Sequence, residues 1–496
     1  MRRRRPPGTI DPSTRTPLAA DVVAQGGEVV LARDADPWAD PGLVLRVARA
    51  AAEHDLPISN FALSRLASES APMPKPWPAM ARDSFIGLLG AGAAAVPSLE
   101  ALDQHGLLSR LIPEWECVRY LAQHNPVHVY TVDRHLIETA VQASRLAAEV
   151  ARPDLLLMGA FLHDIGKGRG EDHSVVGARL ARDIAERMGF SPADTGLITA
   201  QVRHHLLLPD TATRRDIDDP STITLVVNAI ERSTELLGLL HQLTIADAAA
   251  TGPAAWSDWK ARLVVQLVNR VSRALDGEPL PPPERPAPEI LALVADGSAR
   301  VVRDGAEVIV IAPDAPGLLS RASGLLALHS LNVQAADVRT VDGVAVNRFT
   351  VLPRFGEYPA ESVLNADLRR ILNGSLRLEE RLHAKEARYT EADRRPPLPR
   401  DLAPLRVLWF DDEATDASVV EVRTRDGIAL LHRVTAELER QGLDIRSARI
   451  SSLGAYVVDA FYVTDTTGGS VVEVRQSEVT AGLTRTLSQT APAAAG

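Results

Sequence analysis

The stretch Phe161-Leu162-His163-Asp164-Ile165-Gly166-Lys167-Gly168 decides how the chain is read. An apolar run ends in an imidazole beside a carboxylate, and a Gly-Lys-Gly turn follows. Inside a helix, neighbouring side chains point about 100° apart. Where the helix stops, His163 and Asp164 can both turn toward one cation. A neutral nitrogen and an anionic oxygen form a mixed donor set that suits Zn, Mn or Fe.

Further donors stand at the intervals of successive helices. His135 opens an apolar-periodic segment with Leu136, Ala140, Val141 and Leu146, and His173 precedes Val176, Leu180, Ile184 and Met188. His204 and His205 end a segment containing Leu197, Ile198 and Val202, while Asp247 lies within Leu243-Thr244-Ile245-Ala246-Asp247-Ala248. Facing side chains of a helical bundle can converge on a metal. Taken singly, each residue has an ordinary role open to it. A lone helical histidine is commonly just hydrogen-bonded, and Asp172 is a preferred N-cap for a helix starting at His173. Asp247 is harder to place without a partner, because a buried lone carboxylate is costly. His204 and His205 can both ligate only where the helix ends or distorts, and Leu206-Leu207-Leu208-Pro209 supplies an end.

A length of 496 residues with 45% hydrophobic content predicts three or four domains with several cores. A single cysteine, Cys117, suits a reducing compartment, so the expected location is cytoplasmic. No apolar run reaches the ~18 residues of a membrane span. A formal charge of −10 argues against a general nucleic-acid binder. Neither a membrane nor nucleic acid is an expected partner. The Arg2–Arg5 run is too short and too poor in apolar residues for a signal peptide and reads as a solvated tail. The chain has four lysines, Lys75, Lys167, Lys260 and Lys385, so nearly all its positive charge is arginine. Lys167, three residues after Asp164, stands where an ammonium could neutralise a phosphate oxygen beside a metal, while its spacing alone favours a solvated turn lysine.

Residues 1–40 read as a polar arm with one short strand, Glu28-Val29-Val30-Leu31, and residues 41–119 as a helical region interrupted by prolines between Pro72 and Pro78. Residues 120–275 carry the His/Asp-bearing bundle, and 276–300 form a linker stiffened by Pro279 to Pro286. Two related α+β segments follow, at 301–385 and 416–496, separated by a second Pro-rich linker (386–415) with Arg394-Arg395-Pro396-Pro397-Leu398-Pro399. The first has a strand Glu307–Ile311, a turn Asp314-Ala315-Pro316-Gly317, a helix Leu318–Leu328, Leu331-Asn332-Val333 into a strand, a strand Ala345–Leu352 and a helix Ala360–Leu372. The second repeats it with Val419–Val422, Asp426-Gly427, a helix from Leu430, Leu443-Asp444-Ile445, Tyr456–Val463 and a closing helix. The order reads as βαββαβ, with Leu376-Arg377-Leu378 as the best candidate for the last strand of the first copy.

The set His135, His163-Asp164 and Asp247 resembles the HD superfamily of metal-dependent phosphohydrolases. The fuller wording (Tyr130 to His135, His163 to Gly168, Asp172-His173-Ser174, Arg203 to Pro209, Ala246-Asp247) is similar to one branch, the bifunctional protein-PII uridylyltransferase/uridylyl-removing enzymes of bacterial nitrogen regulation. The resemblance runs from about residue 20 to the end. It implies a multidomain fold: an all-α helical linker region and an HD-type helical bundle, then two α+β ferredoxin-like ACT domains. It implies a divalent metal, Mn²⁺ or Mg²⁺, on His135, His163, Asp164 and Asp247. Asp164 would bridge to a second ion on His173, His204 and His205, and Lys167 would stabilise transition-state charge. The implied substrate is UMP or AMP joined to a tyrosine of the PII signal protein. The implied effector is glutamine, received at Asp314, Gly317 and Leu318 and at Asn332 and Asp426, where strand-helix turns can accept a carboxylate. The second turn, Arg425-Asp426-Gly427-Ile428, lacks the proline of the first, which counts against ligand binding there.

The family's transferase domain is marked by a Gly-Ser turn followed by an Asp-x-Asp pair. Asp34-Ala35-Asp36 has no such turn before it, and Asp216-Ile217-Asp218-Asp219 lies inside the HD region. The expectation is an intact hydrolase motif without the transferase motif, either in a natural short form or with the transferase domain upstream of this chain. Two alternatives are a guanosine-tetraphosphate hydrolase/synthetase, which carries Glu-Asp where this chain has Lys167-Gly168, and a non-catalytic glutamine sensor that docks on PII.

Overall fold

The computed structural model describes residues 15–123, 129–252, 258–281, 288–292, 297–392, 405–410, 414, 417–453 and 456–488. The Arg2–Arg5 tail, the Pro282–Pro286 part of the first linker and the Arg394–Pro399 run lie outside the described residues. The chain divides into two units, Met1–Leu208 with Ala229–Ala261, and Pro209–Asn228 with Arg262–Gly496.

The first unit starts with three antiparallel strands, β1 (Thr16–Ala19), β2 (Val22–Gln25) and β3 (Glu28–Leu31), where one strand in a polar arm was expected. Gly26 and Gly27, at φ 63° and 86°, form the two-residue turn between β2 and β3, a conformation other residues adopt at a cost. Val22, Val29 and Leu31 are buried in the same core as the helix Leu43–His54.

The axis of this unit is the helix Pro153–Leu162, buried at every residue from Leu155 to Leu162. Such a helix is apolar all round and needs neighbours on every side. Phe161 lies flat on Trp115 with ring centres 5.1 Å apart and meets Phe85 edge-on at 5.4 Å. Against it pack the helices Val132–Arg145, Pro192–His204 and Thr234–Thr251, and His173–Arg187 packs on Pro192–His204. Asp172, Ser191 and Ser233 cap three of them by accepting backbone N–H groups, each cap stabilising its helix by about 1 kcal/mol.

The second unit is built on an eight-stranded antiparallel sheet. In chain order its strands are β4 (Arg300–Asp304), β5 (Glu307–Pro313), β6 (Leu331–Val341), β7 (Val344–Pro353), β8 (Arg406–Phe410), β9 (Ser418–Arg425), β10 (Asp444–Leu453) and β11 (Tyr456–Thr464). Their spatial order is β4-β5-β7-β6-β10-β11-β9-β8. Two ferredoxin-like α+β halves therefore meet edge to edge through β6 and β10, with Asp337 opposite Arg449. The flanking strand of each half precedes the others instead of closing the half. Leu376-Arg377-Leu378 is accordingly not a strand, and Leu378 opens the helix Leu378–Ala392. The outer edge of β5 is already paired with β4, so Leu376, Leu378 and Leu382 pack into the core instead.

Side chains alternate between the faces of a strand. Ala336, Val338, Ala448 and Ile450 join the core with Leu319, Leu325, Leu430 and Val434 from the helices Leu318–Leu328 and Leu430–Arg440. Asp337, Arg339, Ser447 and Arg449 alternate with them, and meet the segment Asp216–Asp219. Arg449, fully buried, bonds Asp337 and reaches Asp216 at 3.2 Å. Arg339 bonds Asp218 at 2.6 Å and Asp337 at 3.0 Å. Arg270 also bonds Asp218, and the Asp216 N–H donates to Tyr462 Oη at 2.5 Å. Burial would raise the Asp337 carboxyl, but Arg449 and Arg339 outweigh it and hold it below its ordinary value.

Removing one partner of a buried ion pair leaves an uncompensated charge and costs ~3–5 kcal/mol. Arg449→Leu is thus expected to lower the denaturant-unfolding stability of this unit by that amount, and a loss under ~1 kcal/mol contradicts the account. A carboxyl whose folded pKa is depressed contributes stability that is complete above its unfolded value, ~3.9, and fades as the pH falls toward the folded one. The Arg449→Leu deficit is therefore expected to shrink in unfolding curves taken below about pH 4.

Candidate metal centre and effector cavities

His135 sits in the first turn of Val132–Arg145, bonded through its N–H to the Thr131 carbonyl at 2.8 Å. His163 caps the C-terminus of the buried axis helix, and Asp164 follows it into the turn. Gly166 lets that turn press on the next helix: a β-carbon there would lie 2.1 Å from the His173 carbonyl and 2.5 Å from the Gly177 nitrogen. His173 is the first residue of His173–Arg187, His205 follows the end of Pro192–His204, and Asp247 lies late in Thr234–Thr251.

These elements bring six donors into two adjoining groups. His135, His163 and Asp247 offer ligand atoms within 4.8 Å of one another, as do Asp164, His173 and His205. His135 Nε2 is 3.2 Å from His163 Nε2 and 3.0 Å from Asp247 Oδ1. Asp164 joins the groups. Its Oδ2 lies 3.4 Å from His163 Nε2 and 3.8 Å from His135 Nε2, while its Oδ1 lies 3.5 Å from His173 Nε2 and 3.7 Å from His205 Nε2. Lys167 Nζ bonds Asp164 Oδ2 at 2.6 Å and donates to Gln123 Oε1 at 2.9 Å.

Two of the imidazoles are oriented by backbone. His163 Nδ1 is 2.9 Å from the Ala160 carbonyl and His205 Nδ1 is 2.8 Å from that of Val202. A proton on Nδ1 serves these carbonyls and leaves Nε2 as a lone-pair donor, the usual way a ligating histidine is fixed. Burial opposes charge on His163, but Asp164 and Asp247 outweigh it and push that imidazole up to about 10. Burial takes His205 the other way, down to about 4. Both carboxyls are held well below their ordinary range against burial, chiefly by His163. A pocket in which two carboxylates outweigh the burial of His163 has the electrostatics of a cation site. The N/O donor set fits a divalent transition ion.

His204 belongs to neither group, contrary to the sequence expectation. The helical backbone continues through His205 (φ −60°, ψ −27°), so the two rings diverge by about 100° and only one can face the donors. Sequence reading also missed Gln123, which carries no motif signal.

The residues expected to receive an effector fall in two places in the second unit. Asn332 and Asp426 line one cavity, where Asn332 Nδ2 is 3.4 Å from Asp426 Oδ2. Asp314, Gly317 and Leu318 line another. The first cavity also holds Lys385, whose ammonium donates to the Ala327 and Leu328 carbonyls and to Ser330 Oγ. Lys385 was visible as one of the few lysines, but nothing in its surroundings marked it.

Residues 132–251 match the family model of the HD domain. The chain carries an HD domain. Outside it the similarity continues: a bifunctional uridylyltransferase/uridylyl-removing enzyme of Mycobacterium tuberculosis (strain H37Rv) is 46% identical over 91% of this chain and 57% of its own length. The protein of the same name from Streptomyces coelicolor is 43% identical over 95% of this chain and 62% of its own. That of Gluconobacter oxydans is 33% identical over 88% and 54%. The chain thus spans a little over half the length of these relatives. No single helix among the described residues is long and apolar enough to cross a membrane.

Mn²⁺ titration by calorimetry is expected to give two ions per chain, one for each donor group. His205→Ala is expected to keep one, Asp164→Ala to lose tight binding of both, and His204→Ala to match wild type. Loss of an ion in His204→Ala would contradict the assignment.

Proposed function

We propose that this chain is a divalent-metal-dependent phosphodiesterase that removes UMP (or AMP) from a tyrosine of the PII signal protein, with glutamine as its effector. The carrying observation is the Asp164 carboxylate, whose two oxygens face two separate N/O donor groups with Lys167 against one of them. The names of the relatives supply the leaving group, since each is a uridylyl-removing enzyme. In those longer proteins the name also covers a transferase; the present reading concerns the removing activity only.

His135, His163, Asp164 and Asp247 would hold one ion, and Asp164, His173 and His205 the other. Ions so placed supply Lewis acidity toward a phosphoryl oxygen and lower the pKa of a bound water. The protein's own contribution is positional. The apolar helix Pro153–Leu162 fixes His163 from behind, the Ala160 and Val202 carbonyls fix two imidazole planes, and Gly166 lets the turn close. Lys167 is only partly buried, its side chain 24% exposed. It is the one cation in this turn that both touches Asp164 and can meet a substrate from solvent. Held by Asp164 and Gln123, it would stabilise the charge that builds on the phosphorus oxygens as the tyrosyl oxygen leaves. Glutamine would be sensed by the ferredoxin-like halves, where a cavity brings Asp426, Asn332 and Lys385 together.

Uridylylated PII incubated with the chain, Mn²⁺ and glutamine is expected to release UMP. Asp164→Ala should abolish release, and Lys167→Ala should lower kcat by ~10²-fold with Mn²⁺ content unchanged. Equal behaviour of wild type and Asp164→Ala would sink the reading.

A further inference from the structure

The two halves of the sheet are related by a shift of 112 positions, the separation of Ser323 and Thr435, whose hydroxyls are 3.4 Å apart. Under that shift one effector cavity maps onto the other. Asp314 corresponds to Asp426, Gly317 to Ala429, and Asp444, reaching across from the opposite half, to Asn332. Each turn puts a residue at positive φ just before its helix, 76° at Gly317 and 53° at Ala429. Asn347 in one wall corresponds to Asp459 in the other, and both are buried. Neither side-chain amide atom of Asn347 has a hydrogen-bond partner, although the residue is only 1% exposed.

One difference between the two cavities changes their room. Glu439 stands in one cavity where Ala327 stands in the other. Its carboxylate lies across Gly317, so close that a β-carbon there would be 2.0 Å from Oε1. Ser320 Oγ donates to Oε2 at 2.8 Å. The room left for the centres of water molecules is ≈ 30 Å³ in this cavity and ≈ 60 Å³ in its counterpart. In the roomier one, Ala327 leaves the wall open and Lys385 brings an ammonium that the other lacks.

We propose that the paired halves take up one α-amino acid, in the Asp426–Asn332 cavity. Glu439 closes the matching cavity by resting its own carboxylate where a ligand's carboxylate would lie, at the start of the helix Leu318–Leu328. This rests on the effector reading above and deepens it. A helix N-terminus attracts a carboxylate, from a ligand or from the protein itself. In the open cavity the start of Leu430–Arg440 faces a ligand carboxylate, the Lys385 ammonium adds positive charge while its N–H groups stay on Ala327, Leu328 and Ser330, and Asp426 faces the ligand's ammonium. Asn332 remains for a polar side chain. The proline-containing turn at Asp314 is thus the occupied copy, and the turn without proline is the receptive one.

Calorimetric titration of the full chain with L-glutamine tests this. Wild type should bind one equivalent and Glu439→Ala two. Asp426→Ala should bind none, and the double variant Asp426→Ala/Glu439→Ala should regain one. Glu439→Gln, which keeps the shape of the plug, should stay at one equivalent. Should Glu439→Ala prove unfolded in a thermal melt, Glu439→Ser gives the same test. Binding at one equivalent in both wild type and an unplugged variant, or at two in wild type, overturns the plug and leaves the effector reading standing. No binding by wild type or any variant overturns the effector reading itself, and the plug with it.

Discussion

Everything in the first unit turns on a carboxylate placed at the end of a helix with no polar side. Asp164 is almost fully buried, and a buried charge persists only where partners compensate it. The compensation comes from three chain segments at once: His163 and Lys167 in its own turn, and His173 and His205 from the next two helices. The bundle must close around that turn for any of these contacts to exist. Gly166 and the flat Trp115–Phe161 stack are where the closing is most demanding.

Much of this was legible in the sequence, for physical reasons that can be named. An all-apolar helix ending in His-Asp announces a buried end, and Asp247 in an Ala-rich apolar helix announces a partner. The ferredoxin-like halves were legible as alternating strands with a turn and helix at matching places. Three things were not. The strand order of the halves depends on which edge of β5 is taken, and β4 takes it from upstream of the segment in which the pattern was sought. The exclusion of His204 depends on helical φ/ψ continuing through His205, although Pro209 signals an early stop. The relative worth of the two effector turns depends on Glu439 and Ala327, which lie far along the chain from either turn and bear no motif.

The second unit shows how near-symmetry is made unequal. The core side of the sheet repeats faithfully, with Ala336 and Val338 answered by Ala448 and Ile450. The other side does not repeat: Asp337 is answered by Arg449, Arg339 faces Ser447 across the seam, and the charges there meet Asp216 and Asp218. Those aspartates lie in Pro209–Asn228, a segment that follows His205 closely in the chain yet folds with the sheet.

The central claim is that one carboxylate joins two donor groups into a single centre. Electron paramagnetic resonance of the Mn²⁺-loaded chain tests it most directly. Two ions sharing the Asp164 carboxylate should give an exchange-coupled spectrum that collapses to isolated-ion signals in Asp164→Asn. Isolated-ion signals from the fully loaded wild type would contradict the account.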